Sequence, residues 1–209
     1  AGAILLVPAF AVTAAPVTHG VAVGEVRATS AVIWSRTDRE AEMHVELEGG
    51  RRARIEAVRV KAEDDYTGKV HTGQLQPDTA YRYKVWFTED ARGKAGRDGA
   101  VEGSFRTPSL PGASQAVTFA WGGDVAGQNV CRDAAEGFPI FKTLNRMDLD
   151  FFIGLGDMIY ADGICEATGR YGNTQVPGDF LQAANIADYW AHWKYNRAEN
   201  NFRALLGRM

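Results

Sequence analysis

The sequence predicts two domains, an all-β sandwich followed by the beginning of an α/β domain. Between residues 16 and 108, short segments alternate apolar and polar residues and are separated by turn residues about every 8 to 12 positions, which is typical of a β-sandwich. After the proline-bracketed linker Thr107–Gly112, an apolar strand, a helix and a second apolar strand follow within about 40 residues, which indicates a βαβ unit. The 209 residues correspond to about 1.4 average domains, so the second domain is expected to be incomplete.

The composition is that of a globular protein and excludes several classes. Hydrophobic residues make up 45% of the chain and charged residues 23%, which argues against disorder and fibrous repeats. The net charge of -3 and the pI near 5.8 argue against a broad basic surface for nucleic acid or anionic membranes. We therefore expect a local binding site, and a monomer.

The first 15 residues have the pattern of an export signal. They are apolar and uncharged, and they end in the small residues Val12-Thr13-Ala14, as signal peptides do before their cleavage site. The stretch is too short to span a bilayer, so no transmembrane segment is expected, and the alternative is a buried first strand. An initiator Met and a basic leader are missing, so the chain is expected to begin inside a longer gene product. Export to the periplasm or the extracellular space would permit disulfides.

The sandwich is predicted from strands of period two. They are Val21–Val26, Ala31–Ser35, Met43–Leu47, Ala53–Val60, Tyr81–Phe87 and Gly103–Thr107. Trp34 is expected to be the core aromatic residue. His19, His44 and His71 lie at scattered positions without the spacing of metal ligands, so they are expected to be exposed or simply hydrogen-bonded.

The second region changes to the pattern of a parallel sheet. Val117–Trp121 and Leu149–Leu155 are continuous apolar runs, as in strands that are buried on both faces. Between them, four large apolar residues recur at helical spacing and Pro139 suits a first helical turn, so a helix is expected there. The four are Phe138, Phe141, Leu144 and Met147.

Each of these two strands ends in Gly-Asp. Asp124 follows Gly122-Gly123, and Asp157 follows Gly156. Because the carboxyl ends of parallel strands meet at one edge of a sheet, both carboxylates should lie there together. Carboxylates so close repel each other unless a cation lies between them, so the pair predicts a metal site. For either Gly-Asp alone, a strand-ending turn is the alternative.

Two segments carry resemblances to known families. Leu75–Tyr83 resembles the turn and strand of fibronectin type III-like domains, in which a buried Tyr, here Tyr81, bonds back to the turn. The two Gly-Asp motifs, the second continuing to Tyr160, resemble the opening of calcineurin-like metallophosphoesterases. A Tyr in place of the commoner His-Gly ending of the second motif resembles the variant found in purple acid phosphatases and in the PhoD family of alkaline phosphatases.

The order of the parts narrows the resemblance. An export signal, a fibronectin-like domain and a phosphatase domain follow one another in PhoD-like alkaline phosphatases, and Tyr189–Arg197 and Asn201–Leu206 are similar to the helical segment that comes next. The resemblance covers residues 16–209. It implies a fibronectin III-like sandwich over 16–108 and the N-terminal part of an α/β metallophosphoesterase domain over 109–209.

The resemblance also implies the chemistry. Asp124 would ligate a first metal, Tyr160 would bind it as phenolate, and Asp157 would bridge two metals. Fe(3+) with Ca(2+) is expected, with Zn(2+) or Mn(2+) as the alternative partner. A metal-bound hydroxide would attack a small phosphate monoester or diester. Asn129 would line the substrate pocket, or alternatively cap its loop.

Later motifs of the family are missing from the chain. Its His-containing motifs have no counterpart, and His192, the one histidine after residue 71, lies on an aromatic-rich helix and is expected to pack or to face solvent. The chain is therefore interpreted as an N-terminal fragment of a phosphatase, inactive by itself. The alternative is a cell-surface binding module, with the sandwich as adhesive domain and a degenerate α/β remnant.

The two cysteines follow the two aspartates at similar distances. Cys131 lies seven residues after Asp124, and Cys165 lies eight after Asp157. Because both loops leave the same sheet edge, a disulfide between them is predicted. A cysteine ligand to iron and a pair of free buried thiols remain alternatives.

Overall fold

The protein is described by a computed structural model that covers residues 14–50, 53–89 and 97–208, and its architecture is mostly β. The sandwich contains eight strands: β1 (Ala14–Ala15), β2 (Val21–Arg27), β3 (Ser30–Arg36), β4 (Ala41–Glu48), β5 (Arg54–Val60), β6 (Thr67–Thr72), β7 (Ala80–Thr88) and β8 (Val101–Arg106). One sheet has β4 between β5 and β7, with β1 and β8 both on the far edge of β7. The other sheet has the order β2-β3-β6, and all of these pairings are antiparallel.

The sandwich core follows the alternation of the strands. Ile33, Met43, Val85 and Phe87 are fully buried between the two sheets. The prediction for Trp34 is wrong. Ala31, Ile33 and Ser35 are buried, and Trp34 alternates with them along the strand, so its side chain points to the outer face of β3. It is half-buried there, beneath the guanidinium group of Arg197 from the second region.

The corner predicted at Tyr81 is confirmed. The backbone N–H of Gln76 donates a hydrogen bond of 2.7 Å to the Tyr81 hydroxyl, and the Tyr81 ring stacks on Phe105 in the core. The hydroxyl therefore satisfies a turn donor while the ring fills the core, which fixes the turn between the sheets. The scattered histidines behave as predicted, since His71 is exposed and His44 bonds to Thr88.

The start of the sandwich lies before the predicted boundary at residue 16. Ala14 and Ala15 pair with Thr88 and Phe87 at the edge of the first sheet. The rest of the expected export signal, residues 1–13, lies outside the described residues.

The second region contains two strands and three helices: β9 (Phe119–Gly122), α1 (Pro139–Leu144), β10 (Phe151–Gly154), α2 (Ile186–Arg197) and α3 (Asn200–Leu206). β9 and β10 pair in parallel, as predicted, with Gly122 opposite Gly154. The helix between them begins at Pro139, as expected, but is only six residues long. No helix in the described ranges is long and apolar enough to cross a membrane.

The predicted burial of both faces of these strands is wrong. Ala120 and Phe152 pack toward Phe141, but Phe119 and Trp121 on the opposite face are exposed, Trp121 by 64%. Successive side chains of a strand point to opposite faces, and within 14–50, 53–89 and 97–208 only one face of this pair has helices against it. The sheet therefore presents an apolar face to solvent.

Helix α2 lies against the sandwich. Lys194 donates to Asp65 at 3.1 Å, and Asp65 is held on its other side by Arg36 at 2.8 Å. Arg197 donates to the carbonyl oxygen of His19, and its guanidinium lies 4.4 Å from the centre of the Trp34 ring. Ion pairs and a cation–π contact thus fix the orientation of α2 relative to the sandwich.

Candidate metal centre

The structure brings Asp124, Asp157 and Tyr160 together at the carboxyl edge of β9 and β10. The backbone N–H of Val125 donates to the carbonyl oxygen of Asp157 at 2.9 Å, so the loops after the two strands are in direct contact. The parallel register of the strands places both aspartates at this edge. Both carboxylates are exposed.

The backbone at this edge is strained and tightly packed. Asp124 and Asp157 have φ of 56° and 48°, in the left-handed region that side chains other than glycine rarely adopt. Gly123 approaches the loop after β10 so closely that a Cβ atom there would lie 2.5 Å from the carbonyl oxygen of Gly156. Gly127 lies against the Tyr160 ring, where a Cβ atom would overlap the ring carbons. Strained positions of this kind concentrate at functional sites.

The Tyr160 hydroxyl connects the two carboxylates. It donates a hydrogen bond to Asp124, and hydrogen bonding to Asp124, desolvation and hydrogen bonding to Asp157 raise the pKa of Tyr160 above its usual value. The proton stays on the phenol because both neighbours are anionic and stabilise the neutral form. A cation placed among the three oxygens would replace this proton, so its binding would be favoured by rising pH.

These donors suit one hard cation. Two carboxylates and a phenol are all oxygen ligands, which favour Ca(2+), Mn(2+) or Fe(3+) over soft metals. The exposure of the carboxylates leaves further coordination positions open. Within the described ranges there is no group of three or more His, Cys, Asp and Glu that could hold a metal. The donor set fits the first half of the predicted centre.

Asn196 on α2 lies beneath the two loops, and the sequence analysis did not identify it. Its side-chain amide donates to the carbonyl oxygens of Val125, at 3.2 Å, and Met158, at 2.7 Å. These residues directly follow Asp124 and Asp157. Asn196 is only 2% exposed. Asn is a poor helix former, so its presence among the aromatic residues of a helix is the sequence signal that could indicate a special role for Asn196.

Two family models match this chain. The model described as "PhoD-like phosphatase, N-terminal domain" matches residues 5–109, and the model described as "PhoD-like phosphatase" matches residues 119–209. The chain belongs to the PhoD-like phosphatase family.

Relatives of this PhoD-like chain agree with that assignment. It is 27% identical over 222 residues to alkaline phosphatase D of Bacillus subtilis strain 168, with 95% of this chain and 35% of the relative covered. A solved structure titled "Structure of PhoD" matches with a TM-score of 0.72 at 21% identity, with 97% of this chain and 39% of that chain covered. This chain therefore spans little more than a third of the length of both, and the solved structure supports the fold alone.

The disulfide predicted for this PhoD-like chain is present. Cys131 and Cys165 are joined, with Cα atoms 5.8 Å apart, and they pack with Tyr195 of α2. The alternatives of an iron ligand and of free thiols do not apply to the bonded pair. The two loops that carry the aspartates are thus covalently connected beyond the site.

His192 is a packing residue, in agreement with the prediction. It is buried, its ring centre lies 4.0 Å from that of Phe180, and its Nε2 is hydrogen-bonded to the carbonyl oxygen of Leu181 at 3.0 Å. It therefore contributes no ligand to the centre.

Asn129 holds its loop together. Its side-chain NH2 group donates to Glu166 and to the carbonyl oxygen of Thr168, and its Oδ1 accepts from Gln175 Nε2 at 2.7 Å and from the Glu166 backbone N–H. These bonds agree with the alternative in which Asn129 caps its own loop. A contact between Asn129 and substrate stays a prediction.

One cavity in the described part of the chain is separate from the carboxylates. It has a volume of about 630 Å³ and lies between the sandwich and α2, lined by residues such as Trp34, Trp193 and Lys194. We assign the candidate centre to the exposed carboxylates and not to this cavity, because the oxygen donors that suit a cation converge at the strand ends.

Proposed function

We propose that the intact protein is an exported, metal-dependent phosphatase that hydrolyses small phosphate monoesters or diesters. The observation that carries the proposal is the convergence of Asp124, Asp157 and Tyr160 at one strand edge in a chain of the PhoD-like phosphatase family. Residues 109–209 would then form the N-terminal part of an α/β metallophosphatase domain, and the export signal would lie before strand β1 (Ala14–Ala15).

Each residue would have a distinct task. Asp124 and Tyr160 would hold the first cation, because the phenol already donates to that carboxylate. Asp157, on the adjacent loop, would offer its second oxygen to a partner cation. The cations, Fe(3+) with Ca(2+) or else Zn(2+) or Mn(2+), would supply Lewis acidity toward the phosphoryl oxygens. Gly123 and Gly127 leave no side chain on the floor of the site, so an ester can approach the donors closely.

The decisive experiment compares two variants of the intact protein. Asp157→Asn removes a charged ligand, and Asp148→Asn makes the same substitution at an exposed aspartate outside the site. Metal content is measured by mass spectrometry, and turnover with p-nitrophenyl phosphate and bis-p-nitrophenyl phosphate. We expect Asp157→Asn to lose metal and at least about 100-fold in kcat/KM, since even substitutions behind a ligand cost 10- to 100-fold.

The control should behave like the unaltered protein. Metal content and turnover that are equal in both variants would contradict the bridging role of Asp157. An intact protein with neither metal nor turnover would favour the alternative of a cell-surface binding module. Within the described ranges the chain supplies three of the donors, Asp124, Asp157 and Tyr160, and we expect the 209 residues alone to hydrolyse neither ester above background.

A further inference from the structure

We propose that Asn196 is a positioning residue that sets the separation between the loops carrying Asp124 and Asp157. One side-chain NH2 group donates to the backbone of both loops, at Val125 and at Met158. The relevance of this separation to metal rests on the proposed function, whereas the positioning itself does not.

The donor is held firmly from both sides of α2. Toward the sandwich, Lys194 is paired with Asp65. Toward the loops, the Tyr195 hydroxyl donates to the carbonyl oxygen of Val176 at 2.6 Å and accepts from the backbone N–H of Arg132. Because its neighbours on both sides are fixed, Asn196 presents its amide from a rigid helix.

The loops need such a support. Their carboxylates repel each other, and both aspartates have φ in the left-handed region, a backbone conformation that costs free energy for residues other than glycine. Next to the aspartates, Val125 N–H donates to Asp157 and Leu155 N–H donates to Gly122, whereas other backbone bonds between the two loops, such as Val176 N–H to Arg132, lie farther from the carboxylates. A single amide that binds both following carbonyl oxygens opposes the repulsion where the carboxylates are placed.

The amide also carries a cost that a purely packing residue would avoid. The Oδ1 atom of Asn196 is buried without a hydrogen-bond partner among the described residues, which lowers the stability of the folded state. A leucine of similar volume would remove that penalty together with both donors. The two donated bonds are therefore the contribution that distinguishes Asn196 from an apolar residue.

Asn145 provides a matched control. It also donates its side-chain amide to a backbone carbonyl, that of Asn201 at 2.8 Å, and its Oδ1 is likewise buried without a partner. It lies at the end of α1 and contacts neither aspartate loop through this bond. A general loss of stability should appear in both variants, whereas a positioning effect should appear only in the variant at Asn196.

The test compares Asn196→Leu with Asn145→Leu in the metal-free 209-residue chain. Amide hydrogen exchange is followed by NMR at Val125, whose N–H bonds across the two loops, with strands β3 and β4 as internal standards of global stability. We expect exchange at Val125 to accelerate about tenfold in Asn196→Leu alone. Equal exchange at Val125 in the two variants would overturn the inference.

A second measurement addresses the metal. Titration of the intact protein with Mn(2+) should show affinity lowered about tenfold by Asn196→Leu and unchanged by Asn145→Leu. Lost protection at Val125 with unchanged Mn(2+) affinity would overturn the link to the metal. If the unaltered protein bound none of Mn(2+), Zn(2+), Ca(2+) and Fe(3+), the proposed function would fail while the exchange result would still decide the positioning.

A milder variant covers the case in which Asn196→Leu does not fold. Asn196→Ser is smaller and can donate one hydrogen bond at most, so we expect exchange at Val125 to accelerate about threefold relative to an Asn145→Ser control. Equal rates in that pair would overturn the proposal in the same way.

Discussion

The two regions of the molecule are held together by different forces. In the sandwich, the apolar side of each sheet meets the other sheet, and residues such as Ile33 and Phe87 are fully buried. In the second region, a two-stranded sheet has one exposed face, and a disulfide and side-chain hydrogen bonds such as those of Asn196 tie the long loops. The same kind of substitution should therefore have different consequences in each.

The largest difference should come from aromatic residues in strands. Phe87→Ala should lower the free energy of unfolding by about 3 to 5 kcal/mol, because it leaves a cavity in a closed core. Trp121→Ala, at a residue that is 64% exposed, should change it by less than about 0.5 kcal/mol. Urea unfolding of the two variants measures both values. Similar losses would mean that the exposed face of β9 is covered in solution.

The disulfide tests what holds the second region. It joins residues 34 apart in sequence, and closing a loop of that length stabilises a protein by about 3 to 4 kcal/mol through the entropy of the unfolded chain. A double variant, Cys131→Ser with Cys165→Ser, should lose that amount in the second region while the sandwich keeps its stability. Hydrogen exchange resolved by region reports this, and equal losses in both regions would contradict the comparison.

The junction of the two regions should respond to pH. Burial, together with the nearby charges of Arg36, Lys194 and Arg197, lowers the pKa of His19 from 6.5 to about 4. Since the folded state holds His19 neutral, its stabilising contribution is complete above pH 6.5 and is lost as the pH falls from 6.5 to 4. Solvent screening limits the loss to about 1 kcal/mol.

A His19→Gln variant isolates this contribution. Its urea midpoint should vary less with pH between 6.5 and 4 than that of the unaltered chain. Below pH 4 a second group takes part, because burial of Asp65 is outweighed by hydrogen bonds from Arg36 and Lys194 that lower its pKa. If both chains showed the same slope between pH 6.5 and 4, His19 would not be the group that titrates.

Much of this arrangement could be predicted from the sequence because it depends on local patterns. Alternation predicts the strands, and the parallel pairing of β9 and β10 follows from two apolar runs separated by a helix. The sequence does not indicate strand β6, because its buried positions include Gly68 and Thr72, which interrupt the apolar alternation. The aromatic character of Trp34 favours a core position, but its register in β3 places it on the outer face.

The candidate site shows the same division. The sequence predicts that Asp124, Asp157 and Tyr160 lie close together, because the ends of neighbouring parallel strands share one edge of the sheet. Asn196 could not, because its contacts depend on how α2 docks against loops that are 38 and 71 residues away in sequence. Docking of that kind is set by tertiary packing, which a local pattern does not encode.

The bare floor of the site has a consequence for how it can change over evolution. Gly123 faces the Gly156 carbonyl and Gly127 faces the Tyr160 ring, and neither has room for one additional carbon atom. A saturation library should recover only glycine at both positions, while exposed neighbours such as Val130 accept many residues. New substrate preferences in this scaffold should therefore arise from the outer rim of the loops, with the floor inherited unchanged.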